Sequence, residues 1–329
     1  MNVYTRAAPT PEISVVVPIY NEEHVLEIFH RRLIAVLDPA FDYELVYVND
    51  GSSDATASIL ASLRHTNSHI AVVELSRNFG KEVALTAGLD HARGAAAIVM
   101  DADLQDPPEL IPQLIDRWRE GYDVVYAQRV QRDGETWLKR VSASLFYRAM
   151  ERSTRIAIPR DVGDYRLLSR RAIDAVGSLR ERHRFMKGLF AWIGFKQVAV
   201  PFVRAPRHSG NSKWSYGELW GLAVEGFTSF TIAPLRAASF AGFAIAMLSF
   251  IYAAIVVFKT LVYGNPVDGY PSLMVVVLFL GGMQLMSLGL IGEYLGRMFN
   301  EAKRRPLYLV SAYLPAGAHD DDGQEAPSS

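Results

Sequence analysis

The chain has 329 residues, 50% of them hydrophobic and 21% charged, enough apolar material for a full-sized core and incompatible with a disordered chain. Its 34 Lys and Arg against 35 Asp and Glu leave a net charge of -1, which excludes a nucleic-acid binder that works by neutralising phosphates. There is no cysteine, hence no disulfide and no thiolate metal site.

Residues 1–12 are short and polar, without the apolar centre of a signal peptide, so the front of the chain is expected to stay in the cytoplasm. Ile13 to Val17 is a β-branched run that closes on Pro18, continues as Ile19-Tyr20-Asn21-Glu22-Glu23, and gives way to an amphipathic stretch ending near Leu37. This reads as strand, loop, helix. The pattern recurs twice. Tyr43 to Val48 runs into Asn49-Asp50-Gly51-Ser52-Ser53-Asp54 and a helix through Leu63; Ile70 to Leu75 runs into Ser76-Arg77-Asn78-Phe79-Gly80-Lys81-Glu82 and a helix through Ala92. The fourth strand, an apolar run from Ala95 to Met100, ends in Asp101 and Asp103 and is followed by Pro107-Pro108-Glu109, a sequence suited to a helix start. Four such units in series predict an α/β fold with a mostly parallel sheet covered by helices on both faces.

All four loops of that fold leave the sheet at its carboxyl edge, where such folds bind ligands. Gathered there are Pro18, Tyr20, Asn21, Glu22, Asp50, Arg77, Lys81, Asp101, Asp103 and Gln105. The set suits a nucleoside diphosphate: an aromatic face and acids for base and ribose, cations for phosphates. Asp101 and Asp103 at i and i+2 offer hard oxygens on one side and Gln105 an amide oxygen, donors that favour Mg²⁺ or Mn²⁺ over zinc. A solvated Asp-x-Asp loop is the bland alternative, and the strand before it with the helix start after it favours the metal. No Gly-x-x-x-x-Gly-Lys-Ser/Thr occurs and no Gly-x-Gly-x-x-Gly follows the first strand, which disfavours a P-loop ATPase and a dinucleotide dehydrogenase.

Tyr122 to Gln128 predicts a fifth strand ending at Arg129. Between Gln131 and Met150, Trp137, Leu138, Val141, Leu145, Phe146 and Met150 share a helical face, with Lys139, Arg140 and Arg148 elsewhere. Such a helix suits either an anionic membrane surface or the flank of a core. Asp164 precedes another apolar run. Arg204, Arg207, Gly210, Ser212 and Lys213 form a basic loop fit either to close over phosphates or simply to be solvated. Two uncharged runs follow, Ala237 to Phe258 and Pro271 to Gly292, each about 22 residues and so long enough for a hydrocarbon layer of roughly 30 Å. Cations flank the pair at Arg204, Arg207, Lys213 and Arg236 before it and Arg297, Lys303, Arg304 and Arg305 after it, which by the positive-inside rule makes both flanks cytoplasmic. A buried soluble helix pair is the alternative. Residues 316–329 are acidic and apolar-poor, a tail expected to lack structure.

The series S-V-V-V-P-I-Y-N-E-E, V-N-D-G-S-S-D, L-S-R-N-F-G-K-E-x-A-L-T-A-G, M-D-A-D-L-Q-D-P-P-E, G-D-Y-R-L-L-S-R and R-x-x-G-x-S-K-W resembles glycosyltransferase family 2, and within it the polyprenyl-phosphate glycosyltransferases. The likeness extends from about Ile13 to Pro306. It implies a GT-A fold and inverting transfer from a nucleotide sugar, UDP-glucose foremost, to undecaprenyl or another polyprenyl phosphate, with Mg²⁺ or Mn²⁺. Carried over by residue, the resemblance gives Asp101, Asp103 and Gln105 to the metal, and Pro18, Tyr20, Asn21, Glu22, Asp50 and Lys81 to the nucleotide sugar. It gives Arg129 and Arg140 to the acceptor phosphate. Asp101 and Arg207 are also assigned to the nucleotide sugar, Lys213 to the departing diphosphate and Asp164 to orienting acceptor or sugar. Asn49 stands where the family's D-D-G-S has its first aspartate.

The domain organisation that follows is an N-terminal segment (1–12), a cytoplasmic GT-A domain (13–214) and an interfacial segment (215–236). A two-helix transmembrane hairpin (237–292), a juxtamembrane segment (293–315) and the acidic tail (316–329) complete it. The expected setting is a multi-pass protein of the cytoplasmic membrane, in contact with its lipids and with both termini inside. Gly281, Gly282, Gly289 and Gly292 would permit close helix approach in a homo-oligomer. A processive glycan synthase and a non-catalytic membrane scaffold are the rivals; the first usually carries Q-x-x-R-W and more spans, whereas here the region reads E-R-H-R-F-M-K-G-L-F-A-W.

Overall fold

The computed structural model describes residues 10–38, 40–130, 162–182, 184, 186–203, 233–263 and 269–317. The expected Trp137 helix with Arg140, the basic loop with Arg207 and Lys213, the interfacial segment up to residue 232 and the tail beyond residue 317 lie outside them.

The alternating units fold as the apolar pattern dictates. Strands β1 (Ile13–Ile19), β2 (Tyr43–Asn49), β3 (Ile70–Leu75) and β4 (Ala96–Val99) are nearly all buried, as continuous apolar strands covered on both faces should be. They pair in parallel in the order β4-β1-β2-β3, with Val15 opposite Leu45 on one side and Ile98 on the other. Helix α1 (Leu26–Leu37) buries Leu26, Phe29, Leu33 and Leu37, a stripe at helical spacing. The same core takes in Val15, Val17, Tyr47 and, from α2 (Thr56–Thr66), Leu60.

Helix α3 (Lys81–His91) covers the other face, and the glycine at its centre sets how close it comes. A Cβ on Gly88 would lie 2.2 Å from Val16 Cγ1 and 3.0 Å from Val48 Cγ2. Gly88→Ala is therefore expected to lower stability by about 1–3 kcal/mol through overpacking, against a helix-propensity gain of about 1 kcal/mol. A denaturant midpoint shifted down at unchanged slope would show it; an unchanged or raised midpoint would mean that α3 can lift off the sheet freely.

After β4 a short 3-10 turn (Pro108–Leu110) leads into α4 (Ile111–Arg119), and Glu109 in that turn holds Arg32 through two hydrogen bonds of 2.7 and 2.8 Å. Strand β5 (Val124–Arg129), β6 (Val162–Ser169) and β7 (Gln197–Phe202) extend the sheet, with α5 (Arg170–Ser178) and α6 (Met186–Trp192) between β6 and β7. With a last strand, β8 (Val310–Leu314), the full order is β7-β5-β6-β4-β1-β2-β3-β8. β6 runs antiparallel between β4 and β5, so the sheet is mostly but not wholly parallel.

The second departure lies at the far edge. Residues 293–315, expected as one juxtamembrane segment, divide in two: a helix continues to Ala302, and Val310–Leu314 forms β8, antiparallel to β3. Tyr308 donates a 2.8 Å hydrogen bond to Asp90, which also receives both terminal nitrogens of Arg180, so the returning chain is fastened to the end of α3. Sequence periodicity does not reveal β8, because a five-residue edge strand with an exposed face carries little apolar signal.

The chain divides into two compact units. The sheet and its helices form the first, which includes residues from 305 onward. The second contains α7 (Ala233–Tyr263) and α8 (Tyr270–Ala302), 31 and 33 residues long, which touch each other. The two uncharged runs lie inside these helices, and α7 continues past Lys259 to Tyr263. A Cβ at Gly281, Gly282, Gly289 or Gly292 would meet nothing within 4 Å among the described residues. Among those residues no helix is long and apolar enough to cross a membrane.

Candidate active site

The loops after β1, β2, β3 and β4 meet at the carboxyl edge of the sheet and enclose a cavity of about 250 Å³. Pro18, Tyr20, Glu22, Asp50, Lys81, Asp101 and Asp103 line it, together with Asn78, Gly80 and Ala84. Seven of the sequence-derived donor-site residues thus stand around one space. Asn21 does not line it; in a left-handed conformation (φ 55°) it ties the first loop to the second, its Oδ1 accepting the Ser53 N–H at 2.8 Å and its own N–H reaching Ser52 Oγ at 3.0 Å. Asp50 sits deeper, one oxygen accepting the Phe79 N–H (2.7 Å) and the other the Gly80 N–H (2.9 Å). Burial raises its pKa against those two bonds. Arg77 turns onto the Phe79 ring, 4.1 Å from its centre, and away from the lining.

The antiparallel strand β6 completes the site. Its register pairs Val99 with Arg166, and continuing that register by two residues sets Asp101 opposite Asp164. Two carboxylates facing each other are unstable alone, and Lys81 from the first turn of α3 lies between them. Its Nζ is 2.7 Å from Asp101 Oδ1, 2.8 Å from Oδ2, and 2.7 Å from Asp164 Oδ2. Burial pulls the ammonium's pKa down, but the two aspartates outweigh it and hold it above its ordinary value. Lys81, read from sequence as a phosphate ligand, is here the bridge between the Asp-x-Asp loop and β6.

Around Asp164 lie charges that sequence reasoning did not single out. Arg166, fully buried, donates to the Gly163 carbonyl at 2.8 Å and stacks 4.1 Å over the Phe190 ring of α6. Glu82 accepts the Met186 N–H at 3.3 Å, joining α3 to α6, and Lys187 follows on α6. Burial pulls the Lys187 ammonium down and the Arg166 guanidinium to about 10. Asp164 is pushed up by burial but held at about 2 by Lys81 and Lys187, whereas burial and Asp164 drive Glu82 up to about 7.

A pH dependence follows. Between the ordinary value of 4.5 and about 7 the folded chain keeps the Glu82 proton that the unfolded chain has lost, so stability falls as pH rises through that window. Asp164 acts in the opposite sense, its contribution being lost as pH falls from 3.8 towards about 2. Thermal unfolding of Glu82→Gln is expected to show a flatter decline than wild type between about pH 5 and 7.5. Parallel curves would contradict the assignment.

For a cation, Asp101 and Asp103 offer carboxylates at the cavity, and the buried Gln105 Oε1 has no hydrogen-bond partner among the described residues. Among the described residues no group of three or more His, Cys, Asp or Glu is placed to hold a metal ion, and Asp101, Asp103 and Gln105 would supply two carboxylates and an amide. That donor set fits a hard ion completed by phosphate oxygens and not a zinc site. Asp103 Oδ1 meanwhile accepts the Gln105 N–H at 3.0 Å, across Leu104 at φ 61°. Arg129 ends β5 beside Gly163, where an added Cβ would be 3.2 Å from its guanidinium, so it stands one residue from Asp164.

The family description Glycosyl transferase family 2 matches residues 14–177, and a second, GtrB C-terminal hairpin, matches 233–298. A bactoprenol glucosyl transferase of Shigella phage SfV is 46% identical over 301 residues, 91% of this chain and 98% of that protein. The chain belongs to glycosyl transferase family 2. An uncharacterized glycosyltransferase of Synechocystis sp. is 53% identical over 312 residues, 93% of this chain and 98% of the relative. Among solved structures, a mannosyltransferase from Pyrobaculum calidifontis in complex with GDP-Man and Mn²⁺ is similar at 19% identity, with a TM-score of 0.43, over 85% of this chain and 88% of that one. That likeness is too distant to carry a ligand across. The family assignment agrees with the GT-A α/β sheet and its cavity at the carboxyl edge.

Proposed function

We propose that this glycosyltransferase moves a hexose, glucose in the first place, from a UDP-sugar to undecaprenyl or another polyprenyl phosphate, with inversion, at the cytoplasmic face of the membrane. The observation that carries the reading is one cavity lined by Lys81 and the Asp101-Asp103 loop, with Asp164 joined to that loop through Lys81 and Arg129 beside Gly163. Near-full-length similarity to proteins named bactoprenol glucosyl transferase supports both donor and acceptor class.

A lipid phosphate is ionised near neutral pH, so its oxygen can form the bond to the anomeric carbon while the bond from that carbon to the diphosphate breaks and UDP leaves with the electron pair. No strong general base is needed; the difficulty is to bring two anions together. Arg129 and Arg140 neutralise and orient the acceptor, and Arg207 and Lys213 meet the charge that develops on the diphosphate. Tyr20, Glu22 and Asp50 hold the nucleoside end. A Mg²⁺ or Mn²⁺ ion held by Asp101, Asp103 and Gln105 would supply Lewis-acid stabilisation of the diphosphate.

A polyprenyl chain stays in the bilayer, so the site must be held against it. The sequence of α7 and α8 supports two spans: helices of 31 and 33 residues are about 46 and 50 Å long at 1.5 Å per residue, and each contains an uncharged run. The return of the chain as β8 to the sheet that precedes α7 requires an even number of crossings, which fits both flanks being cytoplasmic.

The test is transfer to undecaprenyl phosphate in lipid vesicles from UDP-glucose, UDP-galactose, UDP-N-acetylglucosamine and GDP-mannose, with products identified by mass spectrometry. A single lipid-linked glucose from UDP-glucose is expected. No product with any donor, or long glycan chains, would overturn the reading.

A further inference from the structure

The loop that carries Asp101, Asp103 and Gln105 is anchored by its alternate residues and gripped at both ends. Ala102 and Leu104 are buried in the same apolar cluster as Tyr165 and Phe202, while Asp101 and Asp103 line the cavity. Consecutive residues of β6 hold the two ends. Asp164 joins the entrance at Asp101 through Lys81. Tyr165, sent to the opposite face by the alternation of the strand, donates its O–H to the Pro107 carbonyl at 2.9 Å. That phenol is itself fixed: Tyr165 is 1% exposed, and its ring meets Phe202 of β7 edge-on with centroids 6.3 Å apart. Just past the exit, Glu109 holds Arg32 of α1.

The backbone between these ties is not relaxed. Leu104 stands at φ 61°, a left-handed conformation that a bulky side chain adopts only where its surroundings impose it. The turn brings the Gln105 N–H to Asp103 Oδ1 at 3.0 Å and leaves Gln105 Oε1 buried without a partner. A phenylalanine at position 165 would fill the same apolar cluster without burying a hydroxyl, so packing alone does not call for tyrosine. We propose that Tyr165 is the positioning residue of the cation site: by holding Pro107 it keeps Leu104 turned, so that the oxygens of Asp103 and Gln105 are set before an ion arrives. Without that tie the ion itself must order the loop, and its affinity falls by what the ordering costs. The inference rests on the divalent-ion site proposed above.

The experiment titrates Mn²⁺ into the full chain in vesicles with UDP present, free Mn²⁺ being read by electron paramagnetic resonance, and follows thermal unfolding of each variant. Tyr165→Phe is expected to weaken Mn²⁺ binding about tenfold while UDP affinity in chelator stays within about twofold of wild type. A merely structural tyrosine would lower the melting temperature and leave Mn²⁺ affinity as it was. Tyr43→Phe, which removes a buried phenol hydrogen-bonded to Asp38 at the start of β2, is the control expected to behave in that way. Glu109→Gln loosens the same loop exit at a pair whose side chains are 40% and 53% exposed, and should weaken Mn²⁺ binding in the same direction. Folded Tyr165→Phe that binds Mn²⁺ as the wild type does would overturn the inference; should that variant not fold, the same result in Glu109→Gln decides against it. Wild type that takes up no Mn²⁺ with UDP is a different result, which removes the cation site of the proposed function and this inference with it.

Discussion

Lys81→Met is expected to lower turnover by at least about 10²-fold while destabilising the fold by about 1–3 kcal/mol, a figure reduced from that of a fully buried pair because the lysine side chain is 44% exposed. The ammonium is the only described cation placed within 4 Å of both Asp101 and Asp164. Without it, two carboxylates that the register sets opposite each other must either repel or share a proton, and the Asp164 pKa must rise from about 2. Acid sensitivity should therefore move to higher pH in the variant. Asp164→Asn relieves the same repulsion, so the double variant should be more stable than the sum of single losses allows. Wild-type turnover and melting in Lys81→Met would show that the bridge has no role. Strict additivity with Asp164→Asn would show that the two carboxylates are not coupled through it.

Asp103→Ala is expected to reduce transfer by about 10³-fold or more, the scale seen when charge stabilisation of a leaving group is removed. The structural loss is small by comparison: one hydrogen bond to the Gln105 N–H in a loop, about 1 kcal/mol. A large fall in turnover with little change in melting separates the two roles. Chelation of divalent ions should reduce the wild type to the level of the variant and leave the variant unaltered. Retention of cation-stimulated transfer by Asp103→Ala would remove this residue from the metal site.

The parallel half of the sheet was legible because its signals are local. Ile13 to Val17, Tyr43 to Val48, Ile70 to Leu75 and Ala95 to Met100 are each an apolar run that closes on polar loop residues, and the structure places strands on all four. Those loops carried the donor-site residues to one edge, and seven of them line one cavity. What sequence did not show depends on distant pairing. Asp164 was visible before an apolar run, but its position opposite Asp101 follows only from β6 inserting antiparallel beside β4, 66 residues beyond it in the Ala96 to Val162 interval. Lys81 was read as a phosphate ligand because a lysine in a glycine-containing loop at a sheet edge suits that role; its two aspartate partners come from separate strands. Glu82 and Lys187, 105 positions apart, carry no motif that joins them. β8 was hidden for another reason: it follows two helices and pairs with a strand formed before them, so nothing near Val310 in the chain announces β3.

In the proposed reaction the carboxyl edge of the sheet holds a nucleoside diphosphate together with a divalent ion. Calorimetric titration of UDP into the full chain, with Mn²⁺ and with chelator, tests it most directly, Asp101→Asn serving as the comparison. UDP is expected to bind the wild type at least about tenfold more tightly with Mn²⁺, and Asp101→Asn to lose most of this gain. Equal UDP affinity with and without the ion, or no binding of UDP in either condition, would contradict it.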